Sequence, residues 1–91
     1  MIPIHELLAR IRWDPEFGRA RFVIAYLDHR KDALVRVPFE RIRMPEDRHF
    51  AFEALEDDGT RHSVPYHRVR EVWRDGALIW ARGESAPGGG A

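Results

Sequence analysis

His67, Arg68 and Arg70 fall within four residues of the segment Pro65-Tyr66-His67-Arg68-Val69-Arg70. Guanidinium groups present planar, paired donors that match phosphate oxygens, and an imidazole adds a donor from a ring nitrogen. A turn at Asp75-Gly76 brings Arg82 beside Arg70 at the open end of a hairpin, adding a third guanidinium to the group. Tyr66 offers a flat ring on which an unstacked base could rest. The competing reading pairs Arg68 and Arg70 with acids such as Glu71 or Asp75 and puts Tyr66 in the core.

Two neighbouring features bear on this group. His29-Arg30-Lys31 makes a second basic loop, with Asp28 placed either to orient a His or Arg of the site or to cap its own turn, and His62 precedes the main segment. His67 with His29 or His62 is a conceivable acid–base pair for phosphodiester chemistry. The repeated His-x-Ser/Thr of two-histidine phosphoesterases is missing, as are a Gly-rich phosphate loop and a nucleophile elbow. Glu53-Ala54-Leu55-Glu56-Asp57-Asp58 reads as a solvated turn, and nothing completes a metal site around His62 and His67. The expectation is a binding domain with no catalytic residue, metal or cofactor.

Composition narrows the class. Ninety-one residues suffice for one domain with a modest core. The chain has no cysteine, no apolar run near the roughly 20 residues of a membrane helix, and no basic-then-apolar leader, so the expected location is cytoplasmic, away from membranes. A net charge of zero argues against coating nucleic acid by counterion release, so any nucleic-acid contact must be local. Fourteen of the fifteen basic residues are Arg, the exception being Lys31; the bias suits bidentate phosphate recognition, though codon composition alone would produce it too.

The elements that must position these residues are legible from periodicity. Ile4, Leu7, Leu8 and Ile11 make one helical stripe, with Pro3 in the first turn and Trp13-Asp14-Pro15 as the stop. Residues 21 to 28 and 33 to 37 alternate and read as a hairpin about His29-Arg30-Lys31-Asp32, with Tyr26 opposite Val35 and Asp28 opposite Ala33. Strands near 49 to 55 and 60 to 64 join through Glu56-Asp57-Asp58-Gly59, and a last hairpin joins 69 to 74 with 77 to 82. Val72, Trp73, Leu78, Ile79 and Trp80 predict cover on both faces of that hairpin. The expected fold is α+β: one N-terminal helix on a mainly antiparallel, barrel-like sheet of about six strands, spanning 1 to 82. Residues 83 to 91 are Gly-rich and expected to be a disordered tail.

One internal echo stands out. Val37-Pro38-Phe39-Glu40-Arg41-Ile42-Arg43 matches Val64-Pro65-Tyr66-His67-Arg68-Val69-Arg70 in pattern, and each copy is expected to end a strand, make a helical turn and start the next segment. Shared positions mark architecture; His67, which replaces Glu40, marks function.

Taken together, the helix through Ile11, Trp13-Asp14, Tyr26 with Asp28, the Pro65 to Arg70 segment and Trp80 with Arg82 resemble the RNA cyclic-group-end recognition domain family, over roughly residues 1 to 82. The resemblance implies a small module, alone or fused to RNA ligase-like or nucleotidyltransferase enzymes, that recognises RNA ends bearing a 2',3'-cyclic phosphate in RNA repair or processing. Carried over by position, the site would be His67 and Arg68, supported by Tyr66, Arg70, Asp28 and Arg82. Here the family's Tyr-x-Asp-Arg pattern is altered: His29 follows Asp28, and Arg30 comes one residue later. A protein-interaction adaptor and a metal-independent phosphodiesterase are the alternatives.

Overall fold

The computed structural model describes residues 2–47 and 50–82; the expected tail, 83–91, lies outside the described residues. Helix α1 spans Ile4–Trp13, and Ile4, Leu7, Leu8 and Ile11 are all buried, as their spacing predicts. Pro3 sits one residue earlier than expected, at the N-cap, where its carbonyl accepts from the N–H groups of Glu6 and Leu7. Asp14, before Pro15, turns extended and ends the helix.

The strands are β1 (Phe22–Asp28), β2 (Ala33–Pro38), β3 (Ile42–Arg43), β4 (Ala51–Leu55), β5 (Arg61–Pro65), β6 (Val69–Arg74) and β7 (Ala77–Ala81). The β1–β2 register sets Tyr26 against Val35 and Asp28 against Ala33, as expected. Asp75 and Gly76 both have positive φ, 49° and 83°, the backbone a tight two-residue hairpin requires.

The expectation of one barrel-like sheet of about six strands needs correction. Among the described residues seven strands form two antiparallel sheets, in the orders β2-β1-β6-β7 and β3-β4-β5, and neither closes into a barrel. The echo supplies the reason. Pro38 and Pro65 each end a strand, a 3-10 turn follows at Phe39–Arg41 and Tyr66–Arg68, and the chain then joins the other sheet. Proline has no N–H to continue a ladder, so both copies of the motif are crossovers between sheets.

The last hairpin is covered on one face only. Val72 and Trp80 are buried, and the indole Nε1 of Trp80 donates to the Ile2 carbonyl at 2.9 Å, tying β7 to the start of the helix. Leu78 and Ile79 are 36% and 41% exposed, because the register skips Ile79 in a bulge between Val72–Trp80 and Trp73–Leu78. In the core, Phe52 is fully buried, with Tyr26 edge-on at 6.2 Å and Tyr66 tilted at 5.6 Å. Among the described residues no helix is long and apolar enough to cross a membrane.

Candidate functional site

Asp28 closes β1 at the point where the chain must turn, and it does both jobs its sequence position allows. Its Oδ1 accepts from the backbone N–H groups of Arg30 at 2.9 Å and Lys31 at 3.4 Å, capping the turn. Its Oδ2 accepts from Nη2 of Arg30 at 3.4 Å, which folds that guanidinium back over the strand end. With the extra residue in the loop, Arg30 still lies beside Asp28.

Burial pushes the Asp28 carboxyl up, but hydrogen bonds from the Arg30 side chain and the two turn amides outweigh it and hold the group below its ordinary value of 3.8. A carboxyl depressed on folding stabilises the fold above its unfolded value, and that contribution is lost as pH falls through the folded one. Asp28→Asn keeps an amide-accepting oxygen but cannot titrate. In melts from about pH 7 to about pH 2, the Tm gap between wild type and this variant is expected to narrow below about pH 4. A constant gap would show that the Asp28 charge does not matter to the fold.

Behind Asp28 a polar chain links the two sheets. Nη2 of Arg30 lies 3.3 Å from Nδ1 of His62 on β5, and Nε2 of His62 lies 3.2 Å from the Tyr26 hydroxyl on β1. Glu56 meets the same imidazole at 3.4 Å, Arg30 at 3.7 Å and Lys31 at 3.2 Å. Two tautomers satisfy this geometry. In one, His62 donates from Nδ1 to Glu56 and accepts from Tyr26; in the other, it accepts from Arg30 and donates from Nε2 to Tyr26. Burial first, then the charges of Asp28 and Glu56, raise the Tyr26 hydroxyl above its usual value, so it keeps its proton.

Tyr26, Asp28, Arg30 and His62 line a cavity of about 170 Å³ whose wall also includes Leu27, Ser63, Val64 and Arg68. The Nε of Arg68, like that of Arg74 on β6, is buried without a hydrogen-bond partner among the described residues. A buried donor left unpaired is costly, and most such groups are satisfied.

The other arginines behave differently. Arg82 donates from Nε to the Val69 carbonyl at 2.9 Å and from Nη2 to the Tyr66 carbonyl at 3.2 Å. Arg70 donates to the His67 carbonyl at 3.4 Å, and the Arg82 N–H to the Arg70 carbonyl at 2.9 Å. Arg70 and Arg82 meet at the hairpin's open end, as the sequence suggests, and each guanidinium donates to a carbonyl of the Tyr66–Arg68 turn or its exit.

The expected site thus divides. Asp28, Arg30 and Arg68 share the cavity; Arg70 and Arg82 brace the turn; His67 is exposed on that turn and does not line the cavity. The Tyr66 ring is buried in the core, so it is no open platform for a base. Glu71 meets Arg36 and Trp73, and Asp75 accepts from the Arg21 amide. Sequence reasoning did not place Tyr26, His62 and Glu56 together. A signal existed for one of them, since Tyr26 and Asp28 share a strand face at i, i+2. Of His29, His62 and His67, only His62 lines the cavity. Among the described residues no group of three or more His, Asp or Glu side chains is placed to hold a metal ion.

Fold and cavity define a small two-sheet α+β module with Arg30, His62 and Arg68 in the wall of a small polar pocket. The chain belongs to the family described as the MJ1316 RNA cyclic group end recognition domain, whose model matches residues 1–82. No curated protein matches the chain, and no solved structure does.

Proposed function

We propose that the protein binds RNA ends carrying a 2',3'-cyclic phosphate, with the phosphate seated in the Arg68 cavity, and that it serves RNA repair or processing as a recognition module. The family supplies the ligand class. The observation that supports the placement is the position of Arg68 in the cavity wall beside Arg30 and His62, which gathers two guanidinium-bearing side chains and an imidazole around one small space.

Charge and size support the cyclic end over other ends. In the cavity wall Arg30 is paired with Asp28, and Arg68 is the second cation. A cyclic phosphodiester carries one negative charge, whereas a phosphomonoester carries about −1.5 to −2 at neutral pH and would be opposed by the Asp28 carboxylate. A cavity of about 170 Å³ lies below the roughly 300 Å³ at which small-molecule pockets begin, so it suits a phosphate group rather than a whole nucleotide. In this reading Arg30, His62 and Tyr26 are further donors at its wall, Asp28 orients Arg30, and Arg70 and Arg82 hold the turn that presents Arg68.

Arginine side-chain N–H spectra recorded as uridine 2',3'-cyclic phosphate is added provide the test. The Arg68 Nε–H signal is expected to move on binding, while that of Arg82, already bonded to the Val69 carbonyl, stays in place. A saturated complex in which Arg68 is unmoved would rule out this cavity.

A further inference from the structure

The two sides of the Tyr66–Arg68 turn open on different spaces. Arg68 faces the small cavity, and Tyr66 borders a larger one of about 570 Å³ against α1, walled by His5, Arg12, Trp13, Met44 and Glu46. The two residues are two positions apart on a 3-10 turn, a rise of about 4 Å. The exposed His67 stands between these two residues in the turn.

The chemistry of this second space is aromatic and neutral. Trp13 is 71% exposed although it belongs to α1, and the Arg12 guanidinium lies 5.0 Å from its ring while donating to the Met44 carbonyl at 3.3 Å. His5 lies 6.4 Å from the Tyr66 ring on the same side. Arg12 and Glu46 bring one positive and one negative charge to the lining, so the groove offers no net charge to a phosphate and, in Trp13, an exposed π surface to a base. Its volume falls in the range that holds a small organic group.

We infer that this groove takes a nucleobase of single-stranded RNA adjoining the terminal nucleotide, stacked against Trp13. The inference rests on the end-recognition reading and extends it: the terminal phosphate occupies the Arg68 cavity, the chain crosses the turn at His67, and the neighbouring base lies on the indole. The protein then reads a short single strand as well as its end. Stacking on an aromatic side chain is sequence-tolerant, so no strong base preference follows.

The test compares uridine 2',3'-cyclic phosphate with a five-nucleotide RNA bearing the same end, on the wild-type chain and on Trp13→Ala. The oligonucleotide is expected to bind wild type at least about fivefold more tightly than the mononucleotide, the lower bound for one stacked base. Trp13→Ala is expected to remove that advantage and keep mononucleotide binding. Because Trp13 is largely exposed, the variant should melt close to wild type. If both ligands bind and Trp13→Ala alters neither, the groove is not used and end recognition stands. If wild type binds neither, end recognition fails and the groove with it.

Discussion

Replacing Arg68 with alanine is expected to lower affinity for a cyclic-phosphate RNA about 10- to 100-fold while leaving the fold nearly as stable as before. The affinity loss follows from removing one hydrogen bond between charged partners, which contributes about 1.5–3 kcal/mol, with about 1.4 kcal/mol per tenfold. The stability outcome follows from the free protein, in which the Nε–H is buried without a partner, a disposition that itself costs about 1–3 kcal/mol. Removing the group relieves that cost and offsets much of the packing lost with the aliphatic stem. The Tm should therefore move by less than about 8 °C, the upper shift for about 1 kcal/mol in a domain of this size. Fluorescence anisotropy and a thermal melt on the same sample check both halves. A variant that binds normally would remove Arg68 from the site, and one that unfolds would make it a structural brace.

Arg82→Ala is expected to show the opposite pattern. Its guanidinium satisfies two carbonyls of the crossover, Tyr66 and Val69, and lies 5.2 Å from the Trp80 ring. Truncation removes two charge-assisted bonds from a half-buried position and leaves those carbonyls to find water, a loss of about 2–4 kcal/mol. At about 4–8 °C per kcal/mol, the Tm should fall on the order of 10 to 20 °C. Arg82→Lys, which keeps the charge but not the planar fork, should recover part of it. If Arg82→Ala melts like wild type yet loses RNA affinity, Arg82 contacts the ligand and its bracing role is wrong.

The contrast between these two arginines marks what the sequence could and could not disclose. Periodicity located the helix stripe, the β1–β2 register and the Asp75-Gly76 turn, because each depends on local spacing. Sheet membership did not follow from spacing, since it depends on where the chain goes after Pro38 and Pro65; the repeated Pro-aromatic motif was visible, but its role as a crossover was not. The Arg-rich segment marked a turn that does border a cavity, yet residue type cannot say whether a guanidinium faces a cavity or a backbone carbonyl. Arg68, Arg70 and Arg82 look alike in sequence and are separated only by their partners. Likewise, Glu56 and His62 gained a role because the second sheet lies against the end of β1, a contact between distant segments.

Affinity of the wild-type chain for three RNAs of one sequence, ending in a 2',3'-cyclic phosphate, a 3'-phosphate or a hydroxyl, bears most directly on end recognition. The cyclic end is expected to bind most tightly and the hydroxyl end most weakly, with a modest salt dependence, because few phosphates beyond the end are contacted. Equal affinity for all three ends, or none for any, would contradict it.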